Sequence, residues 1–391
     1  MGVLNRHKRR LSEKQYPLNL LVDYSGIYIL VQGNFVDIFQ LSSVIFEVTV
    51  VNPLCYNVKA NRKDLETPML LQFNSNQQFK IVQFTDIHWH NGEEADRQSA
   101  DLMKMVIQME QPDLAILTGD ILSGGGCQDA GESMRQIASI FEGYQQLWAS
   151  VFGNHDDEGN TTRHQLMQIQ TEYQMCLSQA GPDEITGVGN YVLPIGKSQK
   201  HQTVQTSEPA ALLYFIDSGS YAPTEIGGYD WVRRDQIEWY IHRSTEFRQK
   251  MGHPLPALAF FHIPIPEYDE VWDFHTCYGI KYEAVCPPRV NTGLFAAMHE
   301  MEDVVGTFVG HDHVNDYFGD LHGIRLCYGR ATGYNTYGRD RFLRGARVIR
   351  LREDERQFQT WLRLSDGSLV SEQPEHRPLE RQLTTDVDPA N

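Results

Sequence analysis

Five apolar, strand-like stretches of the chain each end in side chains that can bind a metal ion. The stretches read FKIVQFTDIH, PDLAILTGD, WASVFGNHD, LPALAFFHIP and VVGTFVGHDH. Their metal-competent side chains are those of Asp86, His88, Asp120, Asn154, His155, His262, His311 and His313. One such strand end is a weak signal, because aspartate and histidine at strand ends often serve only a turn. Five in one chain predict a common metal centre.

Amphipathic helical patterns separate the first three of these strands. The segment ADRQSADLMKMVIQMEQ places Leu102 and Val106 at helical spacing, and SMRQIASIFEGYQQL does the same with Ile137 and Phe141. Alternation of strand and helix predicts an α/β sheet with crossover helices. Such sheets bind their ligands at the carboxyl ends of the strands, where the metal-competent side chains stand. Several short strands between residues 324 and 364 would complete a second sheet.

The donor atoms narrow the choice of metal. Carboxylate, imidazole and amide oxygen suit borderline ions such as Zn, Mn and Fe. No thiolate stands at any of these strand ends, which excludes a structural zinc site of the cysteine type. About seven ligands exceed the four of one tetrahedral ion, but they suit two ions that share a bridging carboxylate. We therefore expect two divalent or mixed-valence metal ions as cofactors, drawn from Fe, Mn or Zn.

The order of these motifs resembles that of the calcineurin-like metallophosphoesterase superfamily. The motifs D-x-H, G-D, G-N-H-D, H and G-H-x-H follow one another over roughly residues 80 to 320. The local stretches GVGNYVLPI, LYFIDSGSY, GYDWVRRDQIEWY and NTGLF are similar to a purple-acid-phosphatase-related branch, the one containing the yeast dosage-dependent cell-cycle phosphatase. The resemblance implies an α/β fold, a four-layer αββα sandwich of two mixed β-sheets flanked by helices.

The resemblance also implies a role for each motif residue. The ligands would form two groups that share one carboxylate: Asp86, His88 and His313 for one metal, Asn154, His262 and His311 for the other, and Asp120 bridging both. His155 would protonate the leaving alkoxide or steady a phosphoryl oxygen, and Asp156 would orient its imidazole.

One position departs from the purple enzymes. Those enzymes carry a tyrosine three positions after the bridging aspartate, where this chain has Ser123. Their colour comes from charge transfer between tyrosinate and iron. Without that phenolate we predict a colourless protein, and the metal pair stays open among Fe, Mn and Zn.

The expected activity is hydrolysis of a phosphate monoester through a metal-activated hydroxide. A phosphodiesterase, a nucleotide hydrolase and a non-catalytic metal-binding scaffold remain alternatives. The substrate would be a phosphorylated small molecule or a phosphoprotein. Arg330 and His90 are candidate substrate contacts, and the alternatives are a surface turn for Arg330 and a plain exposed histidine for His90. The aromatic-rich segment 264–293 is expected to fold over the site as a lid or a substrate wall.

Charge and composition limit the partners and the compartment. The chain has 51 acidic and 34 basic residues, a formal net charge of −17, so we expect no nucleic acid as partner, because phosphate backbones are held by clustered Lys and Arg. Six scattered cysteines without a CxxC pair favour a reducing, cytoplasmic location, and a Cys277–Cys286 disulfide would require secretion.

The chain is expected to contain one catalytic domain with irregular ends. Residues 1–68 are expected to form an atypical N-terminal extension without a membrane span, since charged residues interrupt its apolar stretch. Met69 is an alternative start of the native protein. Residues 69–365 would form the metallophosphoesterase domain, and residues 366–391 a polar, disordered tail.

Overall fold

The computed structural model describes the backbone of three N-terminal strands and then residues 71–198 and 208–378. The chain divides into two units, Met1–Arg62 and Lys63–Asn391. In the first unit, antiparallel strands pair in the order β1 (Asn19–Asp23), β2 (Gly26–Val31) and β3 (Asn34–Asp37). These strands belong to the expected N-terminal extension, whereas Met69 lies outside the described residues.

The second unit contains a mixed six-stranded sheet. Its strands are β4 (Gln78–Phe84), β5 (Leu114–Thr118), β6 (Trp148–Val151), β14 (Gly345–Arg352), β15 (Gln359–Leu364) and β16 (Leu369–Val370). They lie in the order β16-β15-β14-β4-β5-β6. Strands β4, β5 and β6 run parallel, and β14 to β16 are added antiparallel.

A mixed eight-stranded sheet lies in the same unit. Its strands are β7 (Tyr191–Gly196), β8 (Pro209–Phe215), β9 (Ala257–Phe260), β10 (Cys277–Tyr278), β11 (Val304–Val309), β12 (Phe318–Leu321), β13 (Ile324–Tyr328) and β17 (Glu375–His376). They lie in the order β17-β10-β12-β13-β11-β9-β8-β7. The central strands β8, β9, β11 and β13 are parallel.

Six α-helices occur in the described part of this unit. They are α1 (Glu94–Glu110), α2 (Ala130–Gly143), α3 (Arg163–Gln170), α4 (Arg234–Met251), α5 (Glu267–Phe274) and α6 (Leu294–Met301). Side chains cap several of them: the carboxylate of Asp129 accepts from the amide of Glu132 at the start of α2, for example. Among the described residues, none of the helices is long and apolar enough to span a membrane.

Three apolar clusters define the layers of this unit. Successive residues of β4 show the division: Val82 packs with Met103 and Ile137 of the helices, whereas Ile81 packs with Phe260 of the other sheet. This alternation follows from the period of two along a strand. A third cluster joins the eight-stranded sheet to α4, α5 and α6. The predicted four-layer αββα sandwich is confirmed.

Two segments differ from expectation. The segment 264–293 contributes α5 and β10, and Tyr268 and Val271 of α5 are buried, so this part belongs to the sandwich and is not a lid. That the segment forms a substrate wall stays a prediction. Strands β16 and β17 lie within the stretch expected to be a disordered tail. The prediction of disorder is therefore wrong for residues up to 378. Residues 379–391 lie outside the described part of the chain.

Candidate metal centre

The predicted ligands follow strands of both sheets. Asp86 and His88 come after β4, Asp120 after β5 and Asn154 after β6 of the six-stranded sheet, while His262 comes after β9 and His311 and His313 after β11 of the eight-stranded sheet. Within each sheet these strands are parallel, so their carboxyl ends share one edge. The seven side chains are all buried.

A first group of four ligands surrounds one potential metal position. Asp86, His88, Asp120 and His313 each offer one ligand atom, and these atoms lie within 4.8 Å of one another. Nε2 of His88 is 3.2 Å from Nε2 of His313, which in turn is 3.6 Å from Oδ1 of Asp86. Two nitrogens and two carboxylates at this spacing suit a borderline divalent ion.

A second group shares Asp120 with the first. Ligand atoms of Asp120, His262 and His311 lie within 4.8 Å of one another, and Nδ1 of His311 is 3.3 Å from Nε2 of His262. Asn154 completes this group: its Nδ2 donates to the hydroxyl of Tyr221 (3.1 Å), and its buried Oδ1 has no hydrogen-bond partner in the described structure. A buried carbonyl oxygen left without a donor fits a metal ligand.

Asp120 joins the two groups. Its Oδ2 lies 3.4 Å from Nε2 of His88 and 3.2 Å from Nε2 of His262, one ligand from each group. This oxygen is buried and accepts no hydrogen bond within the described structure. The donor set and this oxygen fit a pair of metal ions bridged by one carboxylate.

Hydrogen bonds to Nδ1 aim three of the imidazoles. When a neighbouring oxygen engages Nδ1, Nε2 is left to face the metal. The pairs are His262 with the carbonyl of Thr118 (2.8 Å), His88 with the hydroxyl of Ser123 (3.1 Å) and His313 with the hydroxyl of Thr336 (2.5 Å). These three oxygens hold the rings in place through Nδ1 and leave Nε2 available to bind a metal.

The backbone at the ligands is strained. Asp86, His88, Asp120 and His311 have φ angles of 53°, 50°, 46° and 77°. Positive φ is uncommon for residues other than glycine and costs free energy, so it persists where the surrounding structure enforces it, commonly at functional sites.

Two glycines of the motifs are required by close packing. A Cβ on Gly153 would lie 2.2 Å from Oδ1 of Asp120, and a Cβ on Gly310 would lie 1.9 Å from Oγ1 of Thr85. Both distances are far below van der Waals contact, so only glycine lets these loops approach the ligands.

Burial sets the protonation of the metal-free ligands. It raises the pKa of Asp86 to about 7 and lowers the pKa of His88 to about 4. Burial also acts to raise the pKa of Asp120, but nearby imidazoles, chiefly His262, outweigh it and hold that pKa well below its ordinary range. The bridging carboxylate is thus ionised, as a ligand must be.

His155 lies beside the first group, half-buried. Its ring centroid is 5.1 Å from that of His88, and its Nδ1 is 2.8 Å from Oε2 of Glu158. Burial alone would lower the pKa of His155, but Asp120 and Glu158 raise it above 6.5. The imidazole therefore favours its protonated form more than a free histidine does.

Asp156 does not orient His155, so that prediction is wrong. Its two carboxylate oxygens accept from the backbone amides of Gly153 and Leu122, each at 2.7 Å. Asp156 is fully buried and closes the turn that carries Asn154. The side chain facing Nδ1 of His155 is that of Glu158, a residue that the sequence pattern did not single out.

Of the two predicted substrate contacts, Arg330 lies outside the ligand cluster. The guanidinium of Arg330 is buried, pairs with Asp316, donates from Nε to the carbonyl of Leu343 (2.7 Å) and lies 3.2 Å from the ring centroid of Phe342. These contacts hold the guanidinium away from the ligand cluster, where it serves the packing of the sandwich.

His90 stays near the site. It is partly exposed, and its Nε2 lies close to the turn Gly124–Gly126, where a Cβ on Gly126 would be 3.3 Å away. Its Nδ1 is 3.9 Å from Oε2 of the exposed Glu93. His90 as a substrate contact stays a prediction.

Three tyrosines that the sequence did not mark surround the ligands. Tyr337 stacks on His313 with centroids 4.2 Å apart, and Tyr229 meets His311 edge-on at the same distance. Tyr221 lies 6.3 Å from His155. The stretches GSY and YGRATGYNTYGR contain Tyr221 and Tyr337, and their glycines beside aromatic residues were the available signal.

A model of the calcineurin-like phosphoesterase family matches residues 79–315 of the chain. The chain belongs to this family. All seven ligands and His155 fall within the matched residues. Membership agrees with the two groups of potential ligands that share Asp120.

Curated relatives of this chain occur in plants and yeasts. It is 34% identical to "Probable inactive purple acid phosphatase 29" of Arabidopsis thaliana, across 76% of this chain and 85% of that one. It is 31% identical to "Phosphatase DCR2" of Saccharomyces cerevisiae, across 75% of this chain and 55% of that one. The predicted purple-acid-phosphatase-related branch is confirmed.

Solved structures of similar architecture include a dimetal phosphatase from Danio rerio, with a TM-score of 0.49 at 14% identity over 75% of this chain and 99% of that one. Purple acid phosphatase PPD1 from yellow lupin (Lupinus luteus) gives a TM-score of 0.47 at 16% identity, over 78% of this chain and 54% of that one.

Proposed function

We propose that the protein is a metal-dependent phosphoric ester hydrolase that acts on phosphate monoesters. The observation that carries this proposal is Oδ2 of Asp120, buried without a hydrogen bond and placed between Nε2 of His88 and Nε2 of His262. Two bound metal ions would supply an activated water and positive charge for the phosphoryl oxygens. The local charge matters, because the chain as a whole carries −17.

The chain's own groups would position the substrate and move the proton. His155, half-exposed beside the ligands, is placed to protonate the leaving oxygen, and its raised pKa favours the acid form. Tyr221 and Tyr337 are exposed beside the ligands, which supports approach of the ester from solvent. This access supports either a phosphorylated small molecule or a phosphoprotein as substrate.

The principal alternative is a scaffold that binds metal without turnover. The Arabidopsis relatives carry "probable inactive" in their names. This chain nonetheless keeps all seven ligands, buried and clustered, together with His155. A complete ligand set with an adjacent acid favours catalysis over a scaffold.

The expected compartment is the cytoplasm. The five cysteines among the described residues are free thiols, including Cys277 and Cys286. Free thiols support a reducing compartment, where disulfides are rare.

The test combines metal content with turnover of a p-nitrophenyl phosphate monoester and of the matching diester. Wild type loaded with Mn²⁺, Zn²⁺ or iron is expected to hold two metals per chain and to prefer the monoester. Asn154→Ala should lose metal, whereas His155→Ala should keep metal and turn over slowly. Preference for the diester would instead favour a phosphodiesterase, and metal binding without turnover of either ester would favour the scaffold.

A further inference from the structure

The carboxylate of Glu158 bonds two groups of the site at once. Oε2 lies 2.8 Å from Nδ1 of His155, and Oε1 accepts from the hydroxyl of Tyr221 at 2.6 Å. The same hydroxyl accepts from Nδ2 of Asn154 at 3.1 Å. A chain of hydrogen bonds thus runs from a metal ligand through Tyr221 and Glu158 to the candidate acid.

We propose that Glu158 is the positioning residue of His155, an assignment that rests on the proposed hydrolase function. A carboxylate at Nδ1 fixes the ring and its tautomer and directs Nε2 away from the carboxylate, toward a substrate. Glu158 acts through His155 and does not touch the reacting atoms.

The neighbouring acidic groups are engaged elsewhere. Both oxygens of Asp156 accept from backbone amides, and Oδ1 of Asp120 accepts from the amide of His155 at 2.9 Å. Ser123 serves His88. Glu158 is therefore the carboxylate that the geometry assigns to the ring of His155.

The loop that carries Glu158 is held in place by its neighbours. The amide of Gly124 donates to the carbonyl of His155 at 2.8 Å, and a Cβ on Gly159 would lie 2.5 Å from the carbonyl oxygen of Gly124. Tyr221 stacks on Tyr229, with centroids 5.9 Å apart. These contacts hold the loop that carries His155 and Glu158, and they hold the ring of Tyr221, whose hydroxyl donates to the Glu158 carboxylate.

The test compares full-length wild type with Glu158→Ala and Glu158→Gln, each loaded with Mn²⁺. Glu238→Gln is the matched control, because it removes an exposed glutamate whose ion pair among the described residues is with Arg234 on α4. The substrates are p-nitrophenyl phosphate and phenyl phosphate. The leaving group of phenyl phosphate is the poorer one, so it depends more on protonation. Glu158→Ala should lower kcat for phenyl phosphate about 10- to 100-fold and for p-nitrophenyl phosphate clearly less, with KM and metal content unchanged.

Glu158→Gln should recover part of the loss, because its amide oxygen still accepts from Nδ1–H. Equal losses on both esters, or loss of metal, would overturn the positioning role. Unchanged kcat in Glu158→Ala would overturn it too, and would leave the proposed hydrolase function standing if wild type turns over both esters.

A readout without turnover separates the two proposals. In ¹⁵N spectra of histidine-labelled protein, His155 of wild type should show a protonated Nδ1, and Glu158→Ala should shift the ring toward a mixture of tautomers. If wild type hydrolyses neither ester but this shift appears, the hydrolase function fails while the pairing of Glu158 with His155 holds. No shift in the spectra would overturn the pairing itself.

Discussion

The hydroxyl of Ser123 lies 3.1 Å from Nδ1 of His88. Ser123 stands where the purple enzymes carry their tyrosine ligand. In this chain the position supports an imidazole ligand and contributes no oxygen ligand of its own. The difference determines both the spectrum and the metal affinity that we expect.

The iron-loaded protein should be colourless. Two of the three nearby tyrosine hydroxyls are directed to carboxylates: that of Tyr221 to Glu158 and that of Tyr337 to Glu283. Burial and these carboxylates raise the pKa of both phenols, which keeps them protonated. Visible absorption after iron loading tests this, and a strong charge-transfer band would show that a phenolate binds the metal.

Replacing Ser123 by alanine should weaken metal binding about 10- to 100-fold, because His88 loses the group that aims its Nε2. Competitive titration of Zn²⁺ with a chelator measures the change. Ser139→Ala is the control, since that exposed hydroxyl bonds only to the carbonyl of Arg135 within α2. Equal affinity in Ser123→Ala and wild type would mean that the hydroxyl does not hold the ring.

Gly153→Ala should abolish metal binding and lower the melting temperature. The new Cβ would lie 2.2 Å from Oδ1 of Asp120 and 2.8 Å from Cδ2 of His262, so the ligands must move apart. Gly143→Ala is a matched control near the end of α2, where a Cβ meets no atom within 4 Å. The control should be neutral or stabilise by about 0.5–1 kcal/mol. Retained metal in Gly153→Ala would contradict the close packing.

Arg163→Met should destabilise the protein by about 3–5 kcal/mol, because it leaves a buried charge without its partner. Arg163 pairs with buried Asp217 and donates to the carbonyl of Gly153 at 2.7 Å. Arg234→Met, which breaks an exposed pair with Glu238, should cost about 0.3–0.5 kcal/mol. Urea unfolding measures both, and similar losses in the two variants would mean that the Arg163 pair contributes little.

As the pH rises, Glu158→Gln should lose its activity at a lower pH than wild type does. Burial would lower the pKa of His155, but Asp120 and Glu158 raise it above 6.5. Protonated His155 is the proton donor, and it disappears as the pH rises through that pKa. Without the charge of Glu158 the pKa falls, so the alkaline limb of the kcat profile moves to lower pH. Profiles of both proteins with the same metal measure this, and coincident limbs would contradict it.

The clustering of the proposed ligands could be predicted because it depends on the local order of residues along the chain. Each stands directly after an apolar strand, and parallel neighbouring strands end at the same edge of a sheet. Asp86 and Asp120 therefore had to lie close together once β4 and β5 paired. The helices α1 and α2 could also be predicted from local order, because the spacing of their apolar residues is repeated over several turns.

The supporting groups could not be predicted, because their partners are chosen by tertiary packing. Asp156 is closer to His155 in sequence than Glu158 is, yet it turns inward to cap amides. Arg330 has a positive charge suited to binding phosphate, but its guanidinium forms an ion pair with buried Asp316. Thr336 reaches His313 from a loop whose sequence indicates only a turn.

The ligand set spans both sheets of the sandwich: Asp86, Asp120 and Asn154 come from one sheet, and His262 and His311 from the other. Bound ions would cross-link the two sheets at their shared edge, and their binding free energy would add to the free energy of unfolding. The supply of metal would then determine the stability of the folded protein as well as its activity.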